Sequence, residues 1–284
     1  MTANPVWGEA VRGDLPELST VDLAALTRAV HDLENTSLAA KMSNLVGKQI
    51  EAAGKFVPER ISAVVNKASG LALKAAMKTA LSSLENKPVT DSRRWHKTAA
   101  ALSGAAGGAF GLAALPIELP VSTTLMLRSI ADIARGEGED LSTPEAALAC
   151  LQVFALGGRE ASDEVLESGY FAMRGMLAKT ISEAVRYLGQ KGVADKSAPI
   201  LVRFITQIAA RFGLIVSQKL AAQALPLLGA AGGAAVNYAF VEHFQTVARG
   251  HFTVRRLERQ YGAPLVRREY ERVAAMARTD KTIA

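Results

Sequence analysis

Few side chains in this sequence are of types that do chemistry. There are four histidines, His31, His96, His243 and His251, and a single cysteine, Cys150. His243 falls on a helical stripe with Val236, Phe240, Val247, Gly250, Val254 and Leu257, so it is expected to face a core. Sliding the sequence along itself by 125 positions brings Glu118 onto His243. A carboxylate beside an imidazole across a pseudo-twofold axis would make an acid–base couple, or two ligands for a divalent metal. Asp132 joins them as a third catalytic candidate, with Arg128 assisting, and His251 joins Glu118 and His243 as a metal candidate. His251 is a poor companion for His243 on one ion, because eight helical residues rise about 12 Å and turn about 80°. The first-copy stripe, Glu118, Ser122, Leu125, Ser129 and Asp132, is polar for a seam and suggests a small polar pocket. The competing reading is structural: a buried hydrogen-bonded pair, or Glu118 acting as an early helix carboxylate after Pro116. That reading is preferred, no cofactor is expected, and a metal is the minority alternative.

Other familiar chemistries are missing. The sequence has no His-Glu-x-x-His, P-loop, Gly-x-Gly-x-x-Gly, Gly-x-Ser-x-Gly or Ser-x-x-Lys motif. A lone cysteine excludes a disulfide framework, a multi-cysteine zinc site and a cysteine-held iron–sulfur cluster. With 49% apolar residues in 284, the chain has enough apolar surface to build a core and is not disordered.

The elements that must position these residues read as helices. Ser19 or Thr20 with Asp22 starts an amphipathic helix through Leu23, Leu26, Val30 and Leu33. A second is expected over Leu38 to Ala53, and a third from Pro58 to about Leu84. Asp91 or Ser92 is a cap candidate for the next helix. Pro116 and Pro120 are expected to interrupt the chain before a helix resumes at Val121 and runs to Arg135. Ser142-Thr143-Pro144-Glu145 is a strong start for a helix ending at Gly157-Gly158. Two helices are expected near 161–173 and 175–190, one from Pro199 to about Ala222, and one from Gly229 to about Gln260. A turn at Tyr261 to Pro264 and a basic helix from Leu265 to Arg278 complete an all-α, multi-helix single body.

Gly104-Ala105-Ala106-Gly107-Gly108-Ala109 recurs as Gly229-Ala230-Ala231-Gly232-Gly233-Ala234, which is the core of an internal repeat. Gly104 with Gly108, and Gly229 with Gly233, lie one helical turn apart and bare one helix face. A pseudo-twofold pair of central helices crossing at those faces is expected. With Asn237, these glycines are the candidate site for a hydrophobic ligand. Each copy lies in an uncharged run, 98–117 and 220–241, long enough to span a bilayer. Their Ala/Gly/Ser composition weakens any drive to insert, so a buried helix pair is preferred.

Charge is uneven. Residues 249–284 carry 9 Lys/Arg against 4 Asp/Glu, whereas residues 101–248 carry 11 against 13. Arg93, Arg94 and Trp95 flank the first run, and Arg255, Arg256 and Arg259 begin the basic end. These six are the candidate membrane-surface residues. A solvated face paired to Glu258, Glu269 and Glu271 is the plainer reading, and nucleic acid is disfavoured because no reading motif accompanies the charge. Residues 1–18 read as a tail without a secretory signal pattern, 19–90 as a helical region, 91–264 as the glycine-rich core and 265–284 as the basic helix.

Several of these stretches resemble the EcsC family of bacterial proteins. They are Ala-Leu-Pro-Ile-Glu-Leu-Pro and Leu-Arg-Ser-Ile-Ala-Asp-Ile-Ala-Arg within 104–139, Pro58-Glu59, Gly229 to Phe240, and Gly250-His251-Phe252-Thr253-Val254-Arg255-Arg256-Leu257-Glu258. The family is named for an operon that also encodes an ABC-transporter ATPase and permease. The resemblance implies a cytoplasmic helical protein peripheral to the inner membrane, partnered by the membrane or a membrane protein, with no established activity. It does not carry Glu118 or His243 over as site residues. The combined expectation is a non-enzymatic protein at the cytoplasmic membrane face that binds a membrane partner or a hydrophobic ligand. The alternative is a hydrolase centred on Glu118 and His243.

Overall fold

A computed structural model describes residues 17–34, 38, 41, 59–82, 115–158, 169–191, 198–223 and 229–283. Among them are eight α-helices and no strand: α1 (Thr20–Glu34), α2 (Glu59–Ser82), α3 (Leu115–Gly136), α4 (Pro144–Leu156), α5 (Gly169–Lys191), α6 (Pro199–Gln223), α7 (Gly229–Tyr261) and α8 (Ala263–Ile283).

Local chemistry sets most of the ends. At α1, the Asp22 amide donates to Ser19 Oγ at 3.1 Å, and Ser19 Oγ donates back to the Asp22 carboxylate at 2.8 Å. Thr143 caps α4 by accepting from the Ala146 amide, with Pro144 at the first turn. The α7–α8 turn uses Gly262 at φ 86°, a left-handed backbone that a side chain would resist.

Two expectations change. α3 starts at Leu115 and runs through both prolines rather than resuming at Val121. Pro116 lies in the first turn, where amides lack helical partners anyway, and Pro120 removes only one bond just beyond it. α5 is one helix over Gly169–Lys191, not two broken near residue 174. Its buried residues Tyr170, Met173, Leu177, Thr180, Ala184 and Leu188 form one continuous stripe, which outweighs the small helix penalty of Gly175. The helix expected over Leu38 to Ala53, the cap at Asp91 or Ser92 and the run 98–117 lie outside the described residues, apart from Leu38, Lys41 and the start of α3.

α4 is the hub. Every residue from Ala146 to Leu156 is buried, as befits a helix apolar on all sides. α2, α3, α5, α6 and α7 all contact it. Phe154 of α4, Phe212 of α6, and Phe240 and Phe244 of α7 form an aromatic cluster with centroids 5.2–6.1 Å apart. α1 and α3 flank α7, while α2 lies against α3 and α6.

α3 and α7 run parallel. Ser129 meets Gln245, Glu137 meets Thr253 and Glu139 meets Arg255, each pair 116 residues apart. The sequence repeat pairs positions 125 apart, so the packing register is nine residues away from it. Gly104 and Gly108 lie outside the described residues, and for Gly229 and Gly233 only the helical backbone is described.

Candidate functional site

Glu118 sits in the first turn of α3 and reaches Lys219 near the end of α6, with Nζ donating to Oε1 at 2.8 Å. The lysine side chain is fully buried and the carboxylate nearly so, at 0% and 8% exposure. Burial pushes the Lys219 ammonium below its ordinary value, and the Glu118 charge opposes that shift. The Phe240 ring lies 5.0 Å from Nζ and supplies a second favourable contact. In sequence these charges border the two uncharged runs; in the fold they neutralise one another.

His243 takes a different partner. Its Nε2–H donates to the Gly157 carbonyl at 2.9 Å, just past the end of α4. Nδ1 is then a bare acceptor, buried and without a hydrogen-bond partner among the described residues. Burial drives the imidazole down to about 4, so the ring is neutral at physiological pH. The expected core stripe is present: Val236, Phe240, Val247, Val254 and Leu257 are all buried with it.

The Glu118–His243 couple is therefore corrected. With α3 and α7 in a parallel register of 116, Glu118 is level with Ala234. Nine residues separate Ala234 from His243, a rise of about 13 Å. Asp132 faces Arg135 at 3.5 Å, and Arg128 is exposed. No three His, Cys, Asp or Glu side chains among the described residues are grouped to hold a metal.

His251, the third metal candidate, belongs to a separate buried network. Arg174 of α5 donates to both Glu258 carboxylate oxygens at 2.8 and 2.9 Å, and to Tyr170 Oη at 3.3 Å. Tyr170 Oη in turn shares a hydrogen bond with His251 Nδ1 at 3.0 Å. Burial, then the charges of Arg174 and Arg255, hold the His251 imidazole well below its usual value. Tyr170 also stacks on Tyr270 of α8 at 5.4 Å, which pins the last helix to this centre. Spacing offered no sign of this network, because its members come from α5 and α7.

On the polar stripe of α3, Ser122 and Ser129 are buried, while Glu118, Leu125 and Asp132 are half-buried. Gln245 donates to Ser129, and Ser122 donates to the Leu119 carbonyl at 3.2 Å. Asn237 is fully buried on α7. A crevice of about 40 Å³ lies beside α3, walled mainly by Leu127, Ala131, Leu141, Ala147 and Cys150 with Thr79, Arg128 and Arg135 at its edge. Burial pushes the Cys150 thiol up to about 12, which leaves it inert.

Three candidate membrane-surface arginines are committed inside the chain. Arg255 donates to Glu139 through Nε and Nη2 at 2.8 and 3.0 Å, and Arg259 donates to the same carboxylate. Arg256 bridges Glu137 at 2.9 Å and Asp22 at 3.1 Å. Burial disfavours the Glu139 anion, but these guanidinium contacts outweigh it and hold the carboxyl below its usual range. Asp22 is held low by hydrogen bonds from Tyr261, Ser19 and Arg256. The partners come from the α3–α4 loop and α1, so an account that considered only nearby glutamates missed them. Arg93, Arg94 and Trp95 lie outside the described residues.

No curated protein and no solved structure matches the chain. The model of the EcsC protein family matches residues 10–257, from before α1 through most of α7. That span takes in α1 to α6 whole and α7 as far as Leu257, and the chain belongs to the EcsC protein family.

Proposed function

We propose that this protein is a non-catalytic helical module at the cytoplasmic face of the bacterial membrane, where it binds a membrane partner or a hydrophobic ligand. The carrying observation is α6. Pro199–Ala221 is long and apolar enough to cross a bilayer by length and composition, 44% of its apolar window is buried, and its exposed face mixes Val202 and Leu214 with Arg203, Thr206 and Gln207. Val202 and Leu214 of this helix stand 39% and 40% exposed. Apolar surface left in water at a core-grade helix is stabilised by a non-aqueous partner. Lys219 and its Glu118 partner argue for an occupied surface rather than insertion, since spanning would carry a buried ion pair into lipid. The ABC-transporter link implied by the family resemblance points to the same location. The hydrolase alternative has lost its central pair, because Glu118 and His243 hold separate partners.

Cell fractionation tests this reading. The protein is expected to pellet with membranes and to be released by alkaline carbonate, as a peripheral protein is. Complete recovery in the soluble fraction, before any extraction, would sink the proposal.

A further inference from the structure

α2 carries an exposed stripe that neither the repeat nor the basic C-terminus accounts for. Val64, Lys67, Leu71, Lys74 and Lys78 follow one another at three- and four-residue steps. On a helix they fall within an arc of about 80°. Val64 is 43% and Leu71 46% exposed, and the three lysines are exposed between and beyond them. There is no Asp or Glu anywhere from 62 to 81. Lys67 and Lys74 form no ion pair with a described residue, unlike Arg255, Arg256 and Arg259. Arg128 of α3, also exposed, lines the crevice that Thr79 and Ala80 of α2 share, and extends the positive field past the end of the stripe.

We propose that this face of α2 docks onto a bilayer containing anionic lipid, with Lys67 and Lys74 on headgroups and Val64 and Leu71 in the interfacial layer. The inference rests on the membrane-face reading and names the partner chemistry and the surface. The stripe extends about 21 Å along the helix, so it lies flat on a membrane rather than entering it. Lysine stems cover apolar surface while their ammonium groups stay at headgroup level, which suits the alternation with aliphatic residues. Nucleic acid would use the charge but leave Val64 and Leu71 in water, and the stripe offers no arginine or aromatic group for bases.

Co-sedimentation of the full chain with vesicles provides the test, using phosphatidylcholine alone and phosphatidylcholine mixed equally with phosphatidylglycerol. The protein is expected to bind the mixed vesicles and not the neutral ones. Lys67→Glu/Lys74→Glu should partition at least about thirtyfold less, since each cation near an anionic surface contributes about a fivefold effect. Leu71→Ser should weaken binding while keeping its salt dependence. Arg268→Glu/Arg272→Glu, which alters a pair already engaged with Glu269, should bind as the parent does. Circular dichroism melts check that the exposed-site variants keep the fold. Equal binding by parent and Lys67→Glu/Lys74→Glu would overturn the α2 assignment and leave the membrane reading standing. Failure to bind any vesicle while still pelleting with cell membranes would also overturn it, in favour of a protein partner. Lysine-dependent binding to duplex DNA without vesicle binding would replace lipid with nucleic acid. Loss of both membrane pelleting and vesicle binding would end both proposals.

Discussion

At the scale of single residues, the buried ionisable groups separate into two kinds. His243 is kept neutral by burial, so the unfolded chain takes up a proton that the folded chain refuses. Its contribution to stability is present above 6.5 and is lost as pH falls towards about 4. The loss amounts to about 3 kcal/mol over that window. Urea unfolding of His243→Gln should show a shallower decline between neutral and acid pH, with the remaining slope shared by His251 and, at the acid end, the paired carboxylates such as Glu139. An unchanged slope would mean His243 titrates normally. Lys219 is instead a buried charge that depends on its partner. Lys219→Met leaves the Glu118 carboxylate stranded and should destabilise the protein by about 3 kcal/mol. The double variant Lys219→Met/Glu118→Leu should recover most of that loss. A double variant as unstable as the sum of the two singles would show that the pair is uncoupled.

At the scale of helices, close approach is achieved at a glycine outside the repeated motifs. A Cβ on Gly250 of α7 would lie 2.7 Å from Leu33 Cγ and 3.1 Å from the Ala29 carbonyl oxygen of α1. Leu33 is itself buried, so the clash cannot be relieved into solvent. Gly250→Ala should therefore destabilise by about 1–3 kcal/mol, less the gain in helix propensity. Gly175 in α5 has nothing within 4 Å of the same added atom. Gly175→Ala should stabilise by about 0.5–1 kcal/mol. Thermal melts of the two variants should move in opposite directions; a shift of the same sign would contradict the α1–α7 packing. Helix identity was legible from caps and stripes, as at Thr143 and along 236–257. The break expected in α5 was misplaced because Gly175 costs less than the buried stripe around it returns.

Across the whole molecule, ion pairs far apart in sequence hold the helices in register. Glu139, at the turn after α3, receives Arg255 and Arg259 of α7, and Arg256 carries the lattice to Asp22 of α1. Because its folded carboxyl titrates below 4.5, the stability it contributes is present above that value and is lost on acidification. Glu139→Gln should thus lower stability at neutral pH by about 3 kcal/mol. The gap between variant and parent should close as pH falls below 4.5. A gap that persists in strong acid would assign the loss to packing rather than charge.

Composition, caps and three- to four-residue periodicity were enough to establish the all-α class, the burial of His243 and most helix ends, because these depend on contacts within a few residues. Family kinship was likewise readable from short stretches of sequence. Partner choice was not. Glu118 with Lys219, His243 with Gly157 and Arg255 with Glu139 each join segments about 85 to 115 residues apart in sequence. They follow from how α3, α4, α6 and α7 pack against one another, and one-dimensional spacing carries no measure of that. Packing thereby consumed the C-terminal arginines that looked available and left Lys67 and Lys74 of α2 facing solvent.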